Sequence, residues 1–287
     1  MGTFMTYVHS IHVEQDGWTC VDYGPMHLHL LASKGGRSDP GILREAAELA
    51  MLGLDQVAGL KEMLKLPHVQ INEETNDEIA GKMIGSVRAI GDRDLTPMAA
   101  VAGTLADLAA DWLQARGMTR VIVDNGGDIA VRLSPGETVR IGVRPDLRFQ
   151  SISHIALLDS RFASWGVTTS GFGGRSFTRG IASAVTVAAQ SASIADAAST
   201  AIANACFVED ERVRQMEADK LDPNTDLIGI PVTVDVGDLE PEKYAQAIER
   251  AYSKAEALAE KGTIFGALIV AGGLASMTEK MQSIMVQ

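Results

Sequence analysis

A chain of 287 residues with 46% hydrophobic and 22% charged side chains holds enough apolar material for one large core or two modest ones, which argues against wholesale disorder. Its formal net charge of −12 argues against nucleic acid and anionic membrane as main partners, because both are bound through basic patches. The two cysteines, Cys20 and Cys206, form no disulfide or metal pattern and fit a reducing compartment.

Residues 1–10 carry neither the basic segment nor the apolar run of a signal peptide. The longest apolar run, Ile264 to Ala275, is too short for a bilayer and is interrupted by glycines. The expectation is a cytoplasmic protein.

The chain opens with two expected strands, 6–13 and 18–23, around a Gln15-Asp16-Gly17 turn. Met26 to Ala32 alternates as a third strand and puts His27 and His29 on one face. That spacing can bind metal, but no third ligand is evident nearby in sequence, so a half-exposed strand face is the plainer reading; the same holds for His9 and His12. Pro40, with Asp39 as cap, starts a helix expected to run to Lys65. Residues 67–73 read as strand or loop. Asn76 to Ile90 carries an apolar helical stripe.

Thr96-Pro97 begins an Ala-rich helix ended by Gly117. Gly103 inside it costs about 1 kcal/mol relative to Ala, which points to a close backbone approach or to tight packing on a sheet. Arg120 to Leu133 is two β-rich arms around Asp124-Asn125-Gly126-Gly127-Asp128. A hairpin turn explains the glycines; an anion cradled by turn amides is the alternative. Strands are expected at 139–143 and 153–158, with a loop around Pro145.

Arg161 to Gly174 contains W-G-V-T-T-S-G-F-G-G, whose small residues permit close approach to a ligand; a mobile loop is the alternative. Arg175 and Arg179 follow as phosphate partners or solvated surface groups. Residues 184–208 then read as strand, polar turn and helix, with Ser193 as N-cap. Asp196 and Thr200 are four apart and share one helical face. They are placed to hold a hard divalent ion or meet a phosphate; the plainer alternative is that Asp196 complements the helix dipole and Thr200 packs. Residues 209–226 read as a helix end and loop, 228–236 as strand, 241–261 as helix and 264–271 as a last strand. The final dozen residues read as a frayed end or a partner contact. Irregular mixing of strands and helices favours α+β, with helices on mainly antiparallel sheets.

Three blocks then fall in order: P-M-A-A-V-A-G-T-L-A-D, V-I-V-D-N-G-G-D-I, and V-T-T-S-G-F-G-G-R-S-F with the A-V-T-V strand and D-A-A-S-T-A-I-A-N helix. Together, over 95–208, they resemble the ApbE-like superfamily, nearest its uncharacterised cytosolic branch. The resemblance implies a single ApbE-like domain over 1–287. The superfamily's transferases split FAD and attach FMN to a Thr or Ser of a target protein, using Mg²⁺. It further implies Asp196, Thr200 and the carbonyl near Ala102 as metal ligands. Asn125, Gly126, Gly127 and Asp128 would line the flavin nucleotide, with Thr169, Ser170, Gly171 and Arg175.

The chain departs from the transferases in two places. Their H-I-x-D-P-x-T-G is absent where this chain reads F-T-R-G-I-A-S, and their I-A-K-G lysine is replaced by Gly103. The catalytic group is therefore unassigned. Three readings stay open: a Mg²⁺-dependent FAD or FMN protein, a same-fold cytosolic enzyme acting on another small metabolite, and a non-catalytic binding protein. Sheet-edge strands and a Met-rich tail leave a homodimer open.

Overall fold

The structure, a computed structural model, describes residues 9–14, 16–72, 75–144, 146 and 152–286. The start of the expected 6–13 strand, the Gln15 corner of its turn, the end of the 67–73 segment and Pro145 lie outside the described residues.

Strands β1 (His9–Val13), β2 (Thr19–Tyr23) and β3 (Met26–Ser33) are the three expected strands. In β3, Met26, Leu28 and Leu30 are buried while His27 and His29 face outward. Helix α1 (Pro40–Gly59) starts where expected, with the Asp39 carboxylate accepting from the amides of Gly41 and Ile42. It ends earlier than expected. Beyond Gly59, Leu60 leaves helical geometry at φ −106°, ψ 9°, and the chain restarts as α2 (Lys61–Leu64). Residues 68–70 form a short 3₁₀ turn instead of a strand, tied by His68 Nε2 to the Asp92 carbonyl at 2.9 Å. Helix α3 (Glu78–Ile90) is capped by Asp77 and closed by Gly91 at φ 86°.

Thr96-Pro97 opens a 3₁₀ turn that leads into α4 (Val101–Ala115). The hairpin β4 (Arg120–Asn125) and β5 (Asp128–Leu133) is as expected, and β6 (Thr138–Val143) and β7 (His154–Asp159) follow. The glycine-rich segment differs from a mobile loop: its first part is β8 (Ser164–Ser170), a strand paired to β5 with Val167 opposite Ile129. Trp165 to Thr168 are buried there, so the small residues serve packing as well as approach.

Strand β9 (Ala184–Ala189) and helix α5 (Ala192–Ala205) come next. Residues 209–226 are not merely a connection. They contain β10 (Val213–Glu217) and α6 (Ala218–Leu221), with β10 paired to β11 (Pro231–Val236). Helix α7 (Pro241–Glu260) and strand β12 (Gly266–Ala271) match expectation. The tail is ordered: β13 (Leu274–Met277), α8 (Glu279–Ile284) and β14 (Met285–Val286). Gly272 and Gly273, at φ 56° and 79°, make the tight β12–β13 turn.

The described residues cluster into two compact units. The first takes the chain up to Val139 with Asp159–Thr168 and Gln190–Asp196; the second takes Arg140–Leu158, Thr169–Ala189 and the chain from Ala197 on. In the first, β1, β2, β3, β4, β5 and β8 pair successively and antiparallel. One face of this sheet, with Val21, Leu28, Leu30, Val121 and Val123, packs with Leu43 of α1 and Leu105, Ala109 and Leu113 of α4. In the second unit, β12 lies between β9 and β13, and α7 and α8 pack on β12. A separate three-stranded sheet runs β14-β7-β6. Mainly antiparallel sheets flanked by helices make the α+β class. Among the described residues, no helix is long and apolar enough to cross a membrane.

Candidate functional site

The start of α5 is built by a charge network in the first unit. Asp107 on α4 is fully buried, and its two carboxylate oxygens accept from the amides of Ala192 and Ser193, each at 3.1 Å. These are amides that a helix start leaves without an intrahelical acceptor. Arg132 of β5, 3% exposed, donates to Asp107 at 2.8 Å, and Lys82 stands 3.1 Å away. Burial works to raise the Asp107 pKa, but Arg132, Lys82 and the Ser193 amide outweigh it and hold the carboxyl below its ordinary range. The side-chain cap is Ser191, whose Oγ accepts from the Ile194 amide at 3.3 Å, and not Ser193 as expected. Ser193 is one residue inside the helix. Asp107 and Arg132 were not singled out in the sequence, although a carboxylate inside an Ala-rich apolar stripe was the available signal.

One turn into α5, Asp196 Oδ2 accepts from the Gly103 amide at 3.0 Å, with the Ala102 amide adding to the interaction. Asp196 keeps part of its surface open to solvent but is otherwise ringed by protein. This crowding pushes its carboxyl up to about 7 against the pull of the two amides, and negative Asp107 adds to the rise. Gly103 is glycine for a steric reason: a Cβ there would lie 2.2 Å from the Ala192 carbonyl oxygen. The close approach is thus to the turn before α5. The Ala102 carbonyl, on the opposite side of the Ala102–Gly103 peptide from the Gly103 amide, accepts from the buried Asn125 side-chain amide at 3.1 Å.

The first unit therefore brings Ala102, Asn125 and Asp196 together around the α4 start. Gly126 and Gly127, at φ 68° and 106°, form the hairpin turn. The Gly127 amide already donates to Asp124 Oδ1 at 2.7 Å, which explains Asp124 and leaves that amide engaged within the turn. Asp128 begins the return strand. In the second unit, Thr169 Oγ1 shares a 2.9 Å hydrogen bond with Thr186 Oγ1 on β9. Ser170 is 8% exposed and Gly171 packs against Ser183, while Arg175 is exposed. Thr200 follows Asp196 by one turn of α5.

These blocks sit within a recognised sequence family. The family model described as AbpE bacteria matches residues 11–278. The chain belongs to this family. Among curated relatives, the AbpE-family chain is 33% identical over 164 residues to a UPF0280 protein of Methanosphaerula palustris, covering 57% of this chain and 67% of that one. It is 44% identical over 108 residues to a UPF0280 protein of Methanopyrus kandleri, covering 38% and 42%. Across the first three such relatives, the matched part spans 67%, 42% and 52% of their length.

Among solved structures, the AbpE-family chain is similar to the ApbE protein of Thermotoga maritima, with TM-score 0.54 and 15% identity over 98% and 100% of the two chains. It is likewise similar to the apo flavinyl transferase ApbE of Pseudomonas stutzeri, with TM-score 0.51 and 16% identity over 97% and 96%. At such identities the likeness establishes the ApbE-like fold.

Proposed function

We propose that this chain is a Mg²⁺-dependent flavin-nucleotide protein with chemistry like that of the flavin transferases it resembles in fold. The observation that carries the reading is the Asp196 carboxylate, crowded yet open to solvent and held by the Gly103 amide at the α4 start. Carboxylate and backbone carbonyl oxygens suit a hard divalent ion; the Thr200 hydroxyl, in the second unit, keeps its assignment as a separate test. A bound ion would neutralise charge on a pyrophosphate. Asp107 acts at one remove, holding the α5 start against Gly103 and so fixing where Asp196 points. In the first unit, Asn125 to Asp128 are the nucleotide-contact candidates. In the second, Thr169 to Gly171 and Arg175 keep that assignment as a separate test.

A second reading is favoured by Gly103. Where the transferases resemble each other in carrying lysine, any side chain here would meet the Ala192 backbone. Without that cation, the same fold would serve an altered reaction on another phosphorylated metabolite.

The test is calorimetric titration of FAD into the protein with and without Mg²⁺, followed by an assay for AMP. Mg²⁺-dependent binding with AMP release supports the first reading. Binding without AMP supports a non-transferring flavin protein. Absence of binding in both conditions overturns the flavin assignment and leaves the second reading.

A further inference from the structure

The face of the first unit's sheet opposite its core carries an unusual set of side chains. His12 of β1 lies directly across from Cys20 of β2, and Cys20 lies directly across from His29 of β3. Directly paired residues on one sheet face have their Cβ atoms about 5 Å apart. His29 is in turn opposite Asp124 of β4. The neighbouring row holds Ser10, Asp22 and His27, with Asp22 against the His27 ring. Sequence spacing shows the His27/His29 and His9/His12 pairs, but not the meeting of His12 with Cys20, which comes from a different strand.

At the turn end of the β1–β2 hairpin the geometry tightens. The Nε2 of His12 lies 4.0 Å from the Glu14 carboxylate. The Cys20 thiol hydrogen-bonds to that carboxylate. One nitrogen, one oxygen and one sulfur atom from His12, Glu14 and Cys20 all lie within 4.8 Å of one another. Ligands held about 2.0 to 2.3 Å from one zinc ion in tetrahedral array are separated by distances somewhat shorter than this. Side-chain rotation alone closes the difference, since His12 and Glu14 are half-exposed at 54% and 51%.

We propose that His12, Glu14 and Cys20 form a binding site for a zinc-class divalent transition metal, separate from the hard-ion donor set at Asp196. The donor set decides the class of ion: imidazole and thiolate select zinc or cobalt over magnesium or calcium. Binding forms one bond each from Nε2, the carboxylate oxygen and Sγ, and the thiol proton leaves to solvent. Three protein ligands leave the fourth tetrahedral position to water. The site joins strand β1 to β2 at the turn end of the hairpin, beside the 2.8 Å hydrogen bond from the Glu14 amide to the Trp18 carbonyl. A bound ion therefore adds side-chain bonds to the backbone pairing that holds β1 to β2.

The experiment is titration of the full chain with Co²⁺, followed in the near-ultraviolet and visible, and then competition with Zn²⁺. The expected result is a thiolate-to-cobalt charge-transfer band with tetrahedral d–d bands, one equivalent per chain, displaced by Zn²⁺ and unaffected by excess Mg²⁺. Cys20→Ser should abolish the charge-transfer band. His12→Gln, at a side chain 54% exposed, should weaken Co²⁺ binding at least 10-fold. Asp196→Asn should leave the band in place, which separates this site from the proposed flavin–Mg²⁺ site. A missing charge-transfer band in the unaltered chain, or equal affinity in His12→Gln, overturns the proposal.

Discussion

The amide of Gly103 donates to the carboxylate of Asp196 at 3.0 Å, joining residues 93 positions apart in the chain. The contact forms only because Gly103 has no side chain, since a Cβ would stand 2.2 Å from the carbonyl oxygen of Ala192. Helix α4 and the α5 start are therefore pressed together where the candidate metal ligands Ala102 and Asp196 sit.

Gly103→Ala tests this contact. On helix propensity alone, alanine would stabilise α4 by about 1 kcal/mol. Against a rigid backbone neighbour the added methyl acts as overpacking, which costs about 1–3 kcal/mol. The expected outcome is a net loss of stability in urea denaturation, together with weaker Mg²⁺ binding. A variant as stable as the parent would show that the two segments separate easily.

Asp196→Asn separates binding from folding. Asparagine keeps an oxygen for the Gly103 amide and removes a carboxyl whose charged form is disfavoured by its surroundings. Stability at neutral pH should change by less than about 1 kcal/mol, as expected of a near-isosteric change that keeps its hydrogen bond. Divalent-ion affinity should fall at least 10-fold by calorimetry. Unchanged Mg²⁺ affinity would remove Asp196 from the proposed ligand set.

Asp107 governs a larger share of stability. Asp107→Ala leaves Arg132 buried without its main partner and should cost about 3–5 kcal/mol, the usual range for breaking a buried pair. Its pH dependence follows from a folded pKa held below the ordinary value of about 3.9. In that case the unfolded chain binds more protons in the acid range. The stabilisation is complete above about pH 4 and is lost as pH falls through the folded value. Urea midpoints measured from pH 6 down to pH 3 should drop more steeply for the parent than for Asp107→Asn. Parallel slopes would mean that the Asp107 carboxyl binds protons equally in the folded and unfolded chain, so that its pairing with Arg132 does not lower its pKa.

Ser191 and Ser193 give a local check on where α5 begins. Ser191→Ala should cost about 1 kcal/mol through loss of the cap to Ile194, and Ser193→Ala clearly less. Thermal unfolding of the two variants decides between the caps, and the reverse order would place the helix start two residues later.

Local patterns were readable where a single segment determines its own shape. Asp39 with Pro40, and Gly117, mark helix ends through capping and positive φ, and the structure has them in those roles. The Gly126-Gly127 turn was readable for the same reason. The tail held a matching signal at Gly272-Gly273 that predicts the β12–β13 hairpin. Strand β10 was hidden because its residues are only half-buried or exposed, and its pairing with β11 supplies what its polar sequence lacks.

By itself, then, the sequence determined most segments and their periods, the caps at Asp39 and Gly117, the α+β class, and the Asp196–Thr200 spacing that follows from 3.6 residues per turn. Only the tertiary structure decided which distant groups meet. Arg132 and Asp107 are 25 positions apart and pair because β5 lies under α4. His12, Glu14 and Cys20 converge because strand register puts them on one face. Hydrogen-bond geometry acts within a turn and leaves its mark on neighbouring letters, whereas packing and register act through space and leave none.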